Sequence, residues 1–275
     1  MIPDKLTGHS ISSTAGTERM DQNVAEQTLV LIKPDALLNS LTGYILSTLS
    51  EFHTGLRFAA NKIVCVHKAL AEEHYDEHKG KAFYDSLLEY IMGCAHYPSA
   101  PEKRRVIALV LQGPEAIKKI RKIAGPTNPH VARETNPGTI RALGTVVPIL
   151  DDNGNIISDR IDNLIHASAC LEDAEREIKL WFKPNDIPPG MRTYAVDVSD
   201  PFYYFKDSEL SSTYRPGWTC LLAPGDTAWS SDLEALRLIA DGAAATTPLG
   251  TVAAKSLINE DFNSCNCGCT ADSTK

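Results

Sequence analysis

Three short apolar runs rich in β-branched residues, separated by stretches of helical period, constrain this chain more than any other feature. The first, residues 28–33 (Thr-Leu-Val-Leu-Ile-Lys), stops at Lys33-Pro34-Asp35, where proline removes a ladder donor and turns the chain out of a sheet. That places Lys33 at a strand end. Residues 43–52 read as a helix with Ile45, Leu46, Leu49 and Phe52 on one face. A second strand over 57–67 and a helical stretch from about 70 to 92 follow. Residues 105–111 form a third strand buried on both faces, and Pro114 opens a basic helix holding Lys118, Lys119, Arg121 and Lys122. Residues 124–162, rich in Gly, Pro and Asn, are longer than connections usually are and read as an irregular segment suited to a site or an insertion. Residues 171–182 form a last amphipathic helix, closed by Lys183-Pro184. The order β-α-β-α-β-α, then a short segment and a helix, predicts an α/β chain of the α+β sandwich type, a sheet covered by helices.

The two ends differ from this middle. Residues 1–25 lack apolar periodicity and are expected to be a flexible leader. After Pro188-Pro189-Gly190 the last 88 residues carry 6 Lys+Arg against 11 Asp+Glu, most of the chain's net charge of −8. An aromatic cluster (Phe202, Tyr203, Tyr204, Phe205, Tyr214, Trp218, Trp229) and a helix near 232–245 predict that much of this extension is packed. The acidic balance excludes a general grip on nucleic-acid backbone, though not a local basic pocket for a phosphate ligand. No run approaches the length of a membrane-spanning helix and no secretory signal is visible. Cys65, Cys94, Cys170 and Cys220 are scattered singly, which fits free thiols in a reducing, cytoplasmic setting. The end of the chain, Cys265-Asn266-Cys267-Gly268-Cys269, is expected to be a reduced tail without metal, with soft-metal binding or reversible disulfides as the alternatives.

The chemistry concentrates in Asn163-Leu164-Ile165-His166-Ala167-Ser168, with Glu177 eleven residues after the histidine. A nucleophilic imidazole needs one nitrogen free to attack and the other donating to an acceptor that fixes the tautomer. Taken alone, the same histidine reads more readily as a structural residue satisfied by a neighbour. Eleven residues of continuous helix would hold the two side chains about 16 Å apart, so the chain must bend if they are to meet. Lys33-Pro34-Asp35, Arg121, Gly125-Pro126-Thr127-Asn128-Pro129 and Asn136-Pro137-Gly138-Thr139-Ile140-Arg141 add three cations and a hydroxyl at loop or element ends, the groups that hold a triphosphate.

In this order, IKPD, HY, F, R, GxTNP, NPGTIR, NLIHAS and ExEIxLWFKP, the chain resembles the nucleoside diphosphate kinase family from about Glu26 to Ile187. The resemblance implies a ferredoxin-like, four-stranded antiparallel sheet covered by helices, with residues 188–275 as a C-terminal extension. It implies transfer of the terminal phosphate of a nucleoside triphosphate such as ATP to a nucleoside diphosphate, by ping-pong through a phosphohistidine at His166. Glu177 matches the carboxylate that orients the imidazole and Ser168 the hydroxyl beside it. Lys33, Tyr75, Arg121, Thr127 and Arg141 match the phosphate ligands, with Lys33 and Asn163 also facing the sugar. Phe83 matches the aromatic that stacks on the base. Taken singly, Tyr75 and Phe83 read more readily as core packing on a helix face. Mg²⁺ is expected on the nucleotide phosphates, with no dedicated protein ligands. The implied partners are nucleoside tri- and diphosphates and further copies of the chain, a homo-oligomer of unread size, with no nucleic acid and no membrane.

Residues 94–104, 130–136 and 142–162 are longer than the family pattern. Ala167 and Ala169 stand where the family usually has glycine and aspartate, which puts rate and metal dependence in question. The alternative to an active kinase is a kinase-like nucleotide-binding or protein-interaction module with little phosphotransfer.

Overall fold

In the computed structural model, which describes residues 26–151 and 153–258, the first apolar run forms β1 (Glu26–Ile32) and ends where Pro34 opens α1 (Pro34–Leu38). Then come α2 (Thr42–Thr48), α3 (Glu51–Thr54), β2 (Arg57–Val64), α4 (Lys68–His74), α5 (Tyr84–Ile91), β3 (Val106–Gly113) and α6 (Ala116–Ala124). The chain continues through α7 (Pro129–Thr135), β4 (Thr145–Leu150), β5 (Ile156–Asp162), β6 (Ile165–Ala167) and α8 (Leu171–Trp181). The leader and the Cys265, Cys267, Cys269 tail lie outside the described residues.

The main sheet has the order β2-β3-β1-β6, with every neighbouring pair antiparallel. Alternation along β1 explains why it is covered on both faces. Leu29 and Leu31 join one buried cluster with Ile91, Ile178 and Trp181 from α5 and α8, while Val30 and Ile32 join another with Ile45, Ile120 and Ala124 from α2 and α6. The side chains of β1 from Leu29 to Ile32 are fully buried, so a one-residue slip in register would exchange two cores. This centres β1, and with it the adjoining β6, in the most constrained part of the molecule.

Four expectations need correction. Helix 43–52 is two helices, because the chain turns extended at Ser50, and Phe52 is 93% exposed while Ile45 and Leu49 are buried. The helical stretch 70–92 is likewise divided, with a left-handed turn at Gly80 before α5. Residues 124–162 are not irregular. Asn128 caps α7, its side chain accepting from His130 N–H at 2.8 Å with Pro129 next, and β4 pairs with β5 in a hairpin whose turn is built on Asp151, Gly154 and Asn155. Cys170 and Cys220 are free, but Cys94 is in a disulfide.

The extension contributes β7 (Ala195–Asp197), β8 (Tyr203–Lys206), β9 (Glu209–Ser211), β10 (Thr219–Leu222), β11 (Thr227–Trp229), α9 (Ser230–Ala240) and α10 (Leu249–Ile258). Val198, Tyr203, Leu221, Leu233 and Leu236 give it a buried cluster of its own. Of the expected aromatic cluster, Tyr203 and Trp229 are buried, whereas Phe202 and Tyr214 are exposed. Trp229 packs instead into the cluster of Ile178, Trp181, Phe182 and Ile187, and Gln27 Nε2 donates to Met191 O at 2.6 Å. The extension thus completes the main core. Replacing Trp229 by alanine is expected to cost about 3–5 kcal/mol in urea melts, and a loss below about 1 kcal/mol would show that the extension is merely attached. Among the described residues no helix is long and apolar enough to cross a membrane.

Candidate active site

The turn before the histidine is the local feature from which the site is built. Leu164 has φ +70°, and Ile165 N–H donates to Asn163 O at 2.8 Å, closing a three-residue turn. A leucine there costs on the order of 1–3 kcal/mol. Two contacts to the Lys33-Pro34-Asp35 corner hold it: Lys33 N–H donates to Leu164 O at 2.9 Å, and Asp35 Oδ2 accepts from Leu164 N–H at 2.9 Å. The short β6 then runs beside β1, with Leu31 opposite His166. Ala167 pairs with Val30 in this extended strand, so a Cβ is accommodated without strain.

After Ser168 the chain bends into α8, and that bend brings Glu177 back to the histidine. Nε2 of His166 donates to Glu177 Oε2 at 2.9 Å. The same oxygen accepts from Ser168 Oγ at 2.7 Å, and Ser168 Oγ accepts from Leu29 N–H at 3.1 Å. Burial acts to raise the Glu177 pKa, but His166, Ser168 and Arg176 together hold it below its ordinary value, so the group is a carboxylate. Ser168 is fully buried and does not line the cavity, so it acts through Glu177 rather than on a ligand. With Nε2 engaged, Nδ1 is the nitrogen left to attack.

His166 opens onto a cavity of about 410 Å³ that Lys33, Tyr75, Phe83, Arg121, Thr127, Arg141 and Asn163 also line. Every expected nucleotide ligand therefore meets at one cavity. Arg141 is placed by two carbonyls, donating to Gly125 O at 2.9 Å and to Ile165 O at 3.3 Å. Gly125 has φ +82°, and a Cβ there would overlap the Thr139 side chain, which accounts for the glycine of the GxTNP segment. Lys33 Nζ donates to Asn163 Oδ1 at 2.8 Å, and Asn163 Nδ2 to Thr127 O at 3.0 Å. Phe83 is 40% exposed, with its ring edge-on to His78, so it is not a core residue. Tyr75 is 6% exposed and its hydroxyl has no hydrogen-bond partner among the described residues.

These groups are electrostatically costly where they stand. Burial lowers the Lys33 pKa to about 7 against the opposing pull of Asp35, and burial followed by the nearby Arg121 lowers Arg141 to about 10. Burial also raises the Tyr75 phenol, which stays a hydrogen-bond donor. A polyanion in the cavity would relieve the crowding of cations and offer acceptors to all three. Because an anion favours the ammonium form of Lys33, ligand binding between pH 7 and 8 is expected to take up a proton, and affinity to fall as pH rises above 7. Calorimetry of ADP binding in two buffers of different ionisation enthalpy measures this; heats independent of buffer would contradict it.

Sequence reasoning missed several residues here. Asp35 pins the turn at Leu164, and Tyr90 Oη accepts from Asn163 N–H at 3.1 Å. His74, the first residue of the HY segment, packs edge-on to His166 with ring centroids 4.6 Å apart. It, His166 and Glu177 each bring a potential ligand atom within 4.8 Å of the others. The indole N–H of Trp181, however, donates to His74 Nδ1 at 3.2 Å, and burial holds the ring neutral, which leaves the proton on Nε2. Nδ1 is thereby engaged, while Nε2 is buried without a hydrogen-bond partner among the described residues. Adjacency of His74 to Tyr75 was the available signal for this residue.

The family profile described as nucleoside diphosphate kinase matches residues 26–187, more than half of the chain. The nucleoside diphosphate kinase of Pyrococcus furiosus is 41% identical over 165 residues, which cover 60% of this chain and 88% of the relative. That of Thermococcus kodakarensis is 39% identical over 196 residues, covering 71% and 95%. Among solved structures, the Aquifex aeolicus nucleoside diphosphate kinase has a TM-score of 0.48 and 32% identity, covering 60% of this chain and 100% of that one. The match over residues 26–187, joined to the identities with the Pyrococcus and Thermococcus enzymes, establishes that the chain belongs to the nucleoside diphosphate kinase family.

Proposed function

We propose that this member of the family moves the terminal phosphate of a nucleoside triphosphate to a nucleoside diphosphate in two half-reactions through His166. In the first, the Nδ1 lone pair attacks the γ-phosphorus, a P–N bond forms, the bond to the bridging oxygen breaks, and the nucleoside diphosphate leaves. In the second, a terminal oxygen of an acceptor diphosphate attacks the phosphohistidine and the P–N bond breaks. The Nε2 proton stays with the ring throughout, its bond to Glu177 strengthening as positive charge develops. Lys33, Arg121 and Arg141, with the Tyr75 and Thr127 hydroxyls, neutralise and align the transferring oxygens, so the rate rests on positioning and electrostatics. Phe83 takes the base and Lys33 with Asn163 the sugar.

The observation that carries this reading is the 2.9 Å bond from His166 Nε2 to Glu177 at the mouth of a cation-lined cavity. The donors at the phosphate end are ammonium, guanidinium and hydroxyl, which suits Mg²⁺ that arrives on its nucleotide and keeps its water. Bound there, the ion would neutralise charge on the leaving oxygens. We further read the fold as ferredoxin-like, residues 26–187 as the catalytic unit with insertions at 94–104, 130–136 and 142–162, and 188–275 as a C-terminal extension. The exposed Ile63 on β2, at the edge of the main sheet, supports a homo-oligomer. Among the described residues the free thiols of Cys170 and Cys220 support a cytoplasmic setting, and the Cys94 disulfide weighs against it. The test is incubation with γ-labelled ATP and Mg²⁺: acid-labile, base-stable label with stoichiometric ADP is expected, and transfer without a labelled enzyme would overturn the two-step route.

A further inference from the structure

A second cavity, also of about 410 Å³, opens where the extension meets the end of α8, and it shares no lining residue with the cavity at His166. Small organic ligands occupy pockets of about 300–1,000 Å³, so there is room for one. One wall is Lys179, Phe182 and Lys183, at and just after the last turn of α8; β10, β11, α9 and α10 of the extension build the other. Phe182, Leu221, Trp229 and Val252 are buried and make the floor apolar. The extension is thus a structural part of this cavity.

Charge decides what this cavity suits. Its lining holds the ammonium groups of Lys179, Lys183 and Lys255 and the carboxylates of Asp226 and Asp232. Both carboxylates are engaged within the protein: Asp226 Oδ2 accepts from Ala223 N–H at 2.7 Å, and Asp232 Oδ1 from Lys255 Nζ at 2.9 Å. Lys179 is 4% exposed, and its Nζ donates to Ser231 Oγ at 2.8 Å and pairs with Glu175. It lies two residues after Glu177, about 200° round α8, and so meets the extension instead of His166. Beside the cavity, Lys62 Nζ stands over the Phe182 ring, 4.7 Å from its centre, and pairs with Asp186 at 3.0 Å. Burial lowers the Lys62 pKa, Asp186 opposes this and Lys183 adds to the lowering, so cations crowd this end. In a chain of net charge −8 that is a local reversal of sign. A cationic ligand would add to the crowding, and a neutral one would leave it unrelieved. An organic anion with an apolar body is complementary: the body displaces water from Phe182 and Trp229 while the ammonium groups take the charged head.

We propose that this cavity is a second ligand site, separate from the one at His166, for a small organic anion with an apolar body. The probe is 8-anilinonaphthalene-1-sulfonate, and N-phenyl-1-naphthylamine, the same ring system without the sulfonate, is its uncharged counterpart. Both are titrated by fluorescence, at saturating ADP to fill the cavity at His166, into the full chain and into Lys183→Glu and Leu222→Trp, with melting temperature as the check on folding. Lys183 and Leu222 line the second cavity and not the first, so the result does not depend on the reading of the first. A saturable site for the sulfonate dye is expected. Reversing the charge at Lys183 weakens sulfonate binding by about 3- to 10-fold and leaves the uncharged dye within about twofold. The added indole of Leu222→Trp takes up the space and weakens both dyes by about tenfold or more. Absence of a saturable site, an equal loss for the two dyes in Lys183→Glu, or sulfonate binding unchanged in Leu222→Trp would each overturn the proposal.

Discussion

Replacing His166 by alanine is expected to leave the fold intact and to remove phosphoryl transfer by about 10⁴-fold or more, together with the acid-labile enzyme label. His166 is only partly buried, and its removal strands no backbone group, because β6 is held by its pairing with β1 and by the Asp35 contact at Leu164. What disappears is the one nitrogen that the arrangement leaves free at the cavity. Nucleotide binding survives, since Lys33, Arg121, Arg141 and Phe83 are unchanged, and the melting temperature with saturating ADP still rises. Steady-state transfer to GDP with label retention on denatured protein checks both parts. A variant that keeps its label would move the nucleophile to another residue.

Glu177→Gln removes charge without removing volume, and the expected loss in kcat is on the order of 10²- to 10³-fold with little change in the Michaelis constants. Two properties of the carboxylate are lost together. As a pure acceptor it requires the proton on His166 Nε2; an amide can donate instead, which places the proton on Nδ1 and blocks attack. Its negative charge, retained in the structure because His166, Ser168 and Arg176 outweigh the effect of burial, also stabilises the imidazolium character of the phosphorylated ring. Ser168→Ala removes a bond to the same oxygen, and its smaller loss should share that signature: lower kcat, unchanged Michaelis constants. Equal rises in Michaelis constants would mean that Glu177 shapes the nucleotide site instead.

The legibility of this protein in its sequence follows the range of the forces involved. Strands β1 and β3 were readable because they are buried on both faces, so each carries an unbroken apolar run, 29–32 and 106–111. Phe52 was misplaced because helical periodicity says nothing about whether the helix continues past Ser50. The β4–β5 hairpin was passed over as irregular, since its strands are largely exposed and β4 shows no alternation of apolar and polar residues, although Asp-Asp-Asn-Gly-Asn between two β-branched runs is a hairpin signal. At the site, residue types at loop and strand ends pointed to a cationic pocket, and the resemblance to the family singled out His166 as the expected nucleophile. The pairing of His166 with Glu177 depends on a bend between β6 and α8 that no spacing encodes. Asp35 and His74 stand in segments that the sequence singles out, but their roles were not legible there, because each acts through a partner distant in sequence, Leu164 and Trp181, respectively.

The central claim is that the phosphoryl group rests on Nδ1 of His166, with Nε2 held by Glu177. Phosphorus NMR of the enzyme, labelled with ¹⁵N-histidine and phosphorylated from ATP, reads this directly through phosphorus–nitrogen coupling. A single phosphohistidine bonded through Nδ1, absent from His166→Ala, is the predicted result; a phosphorus bonded to Nε2, or to any other residue, would contradict it.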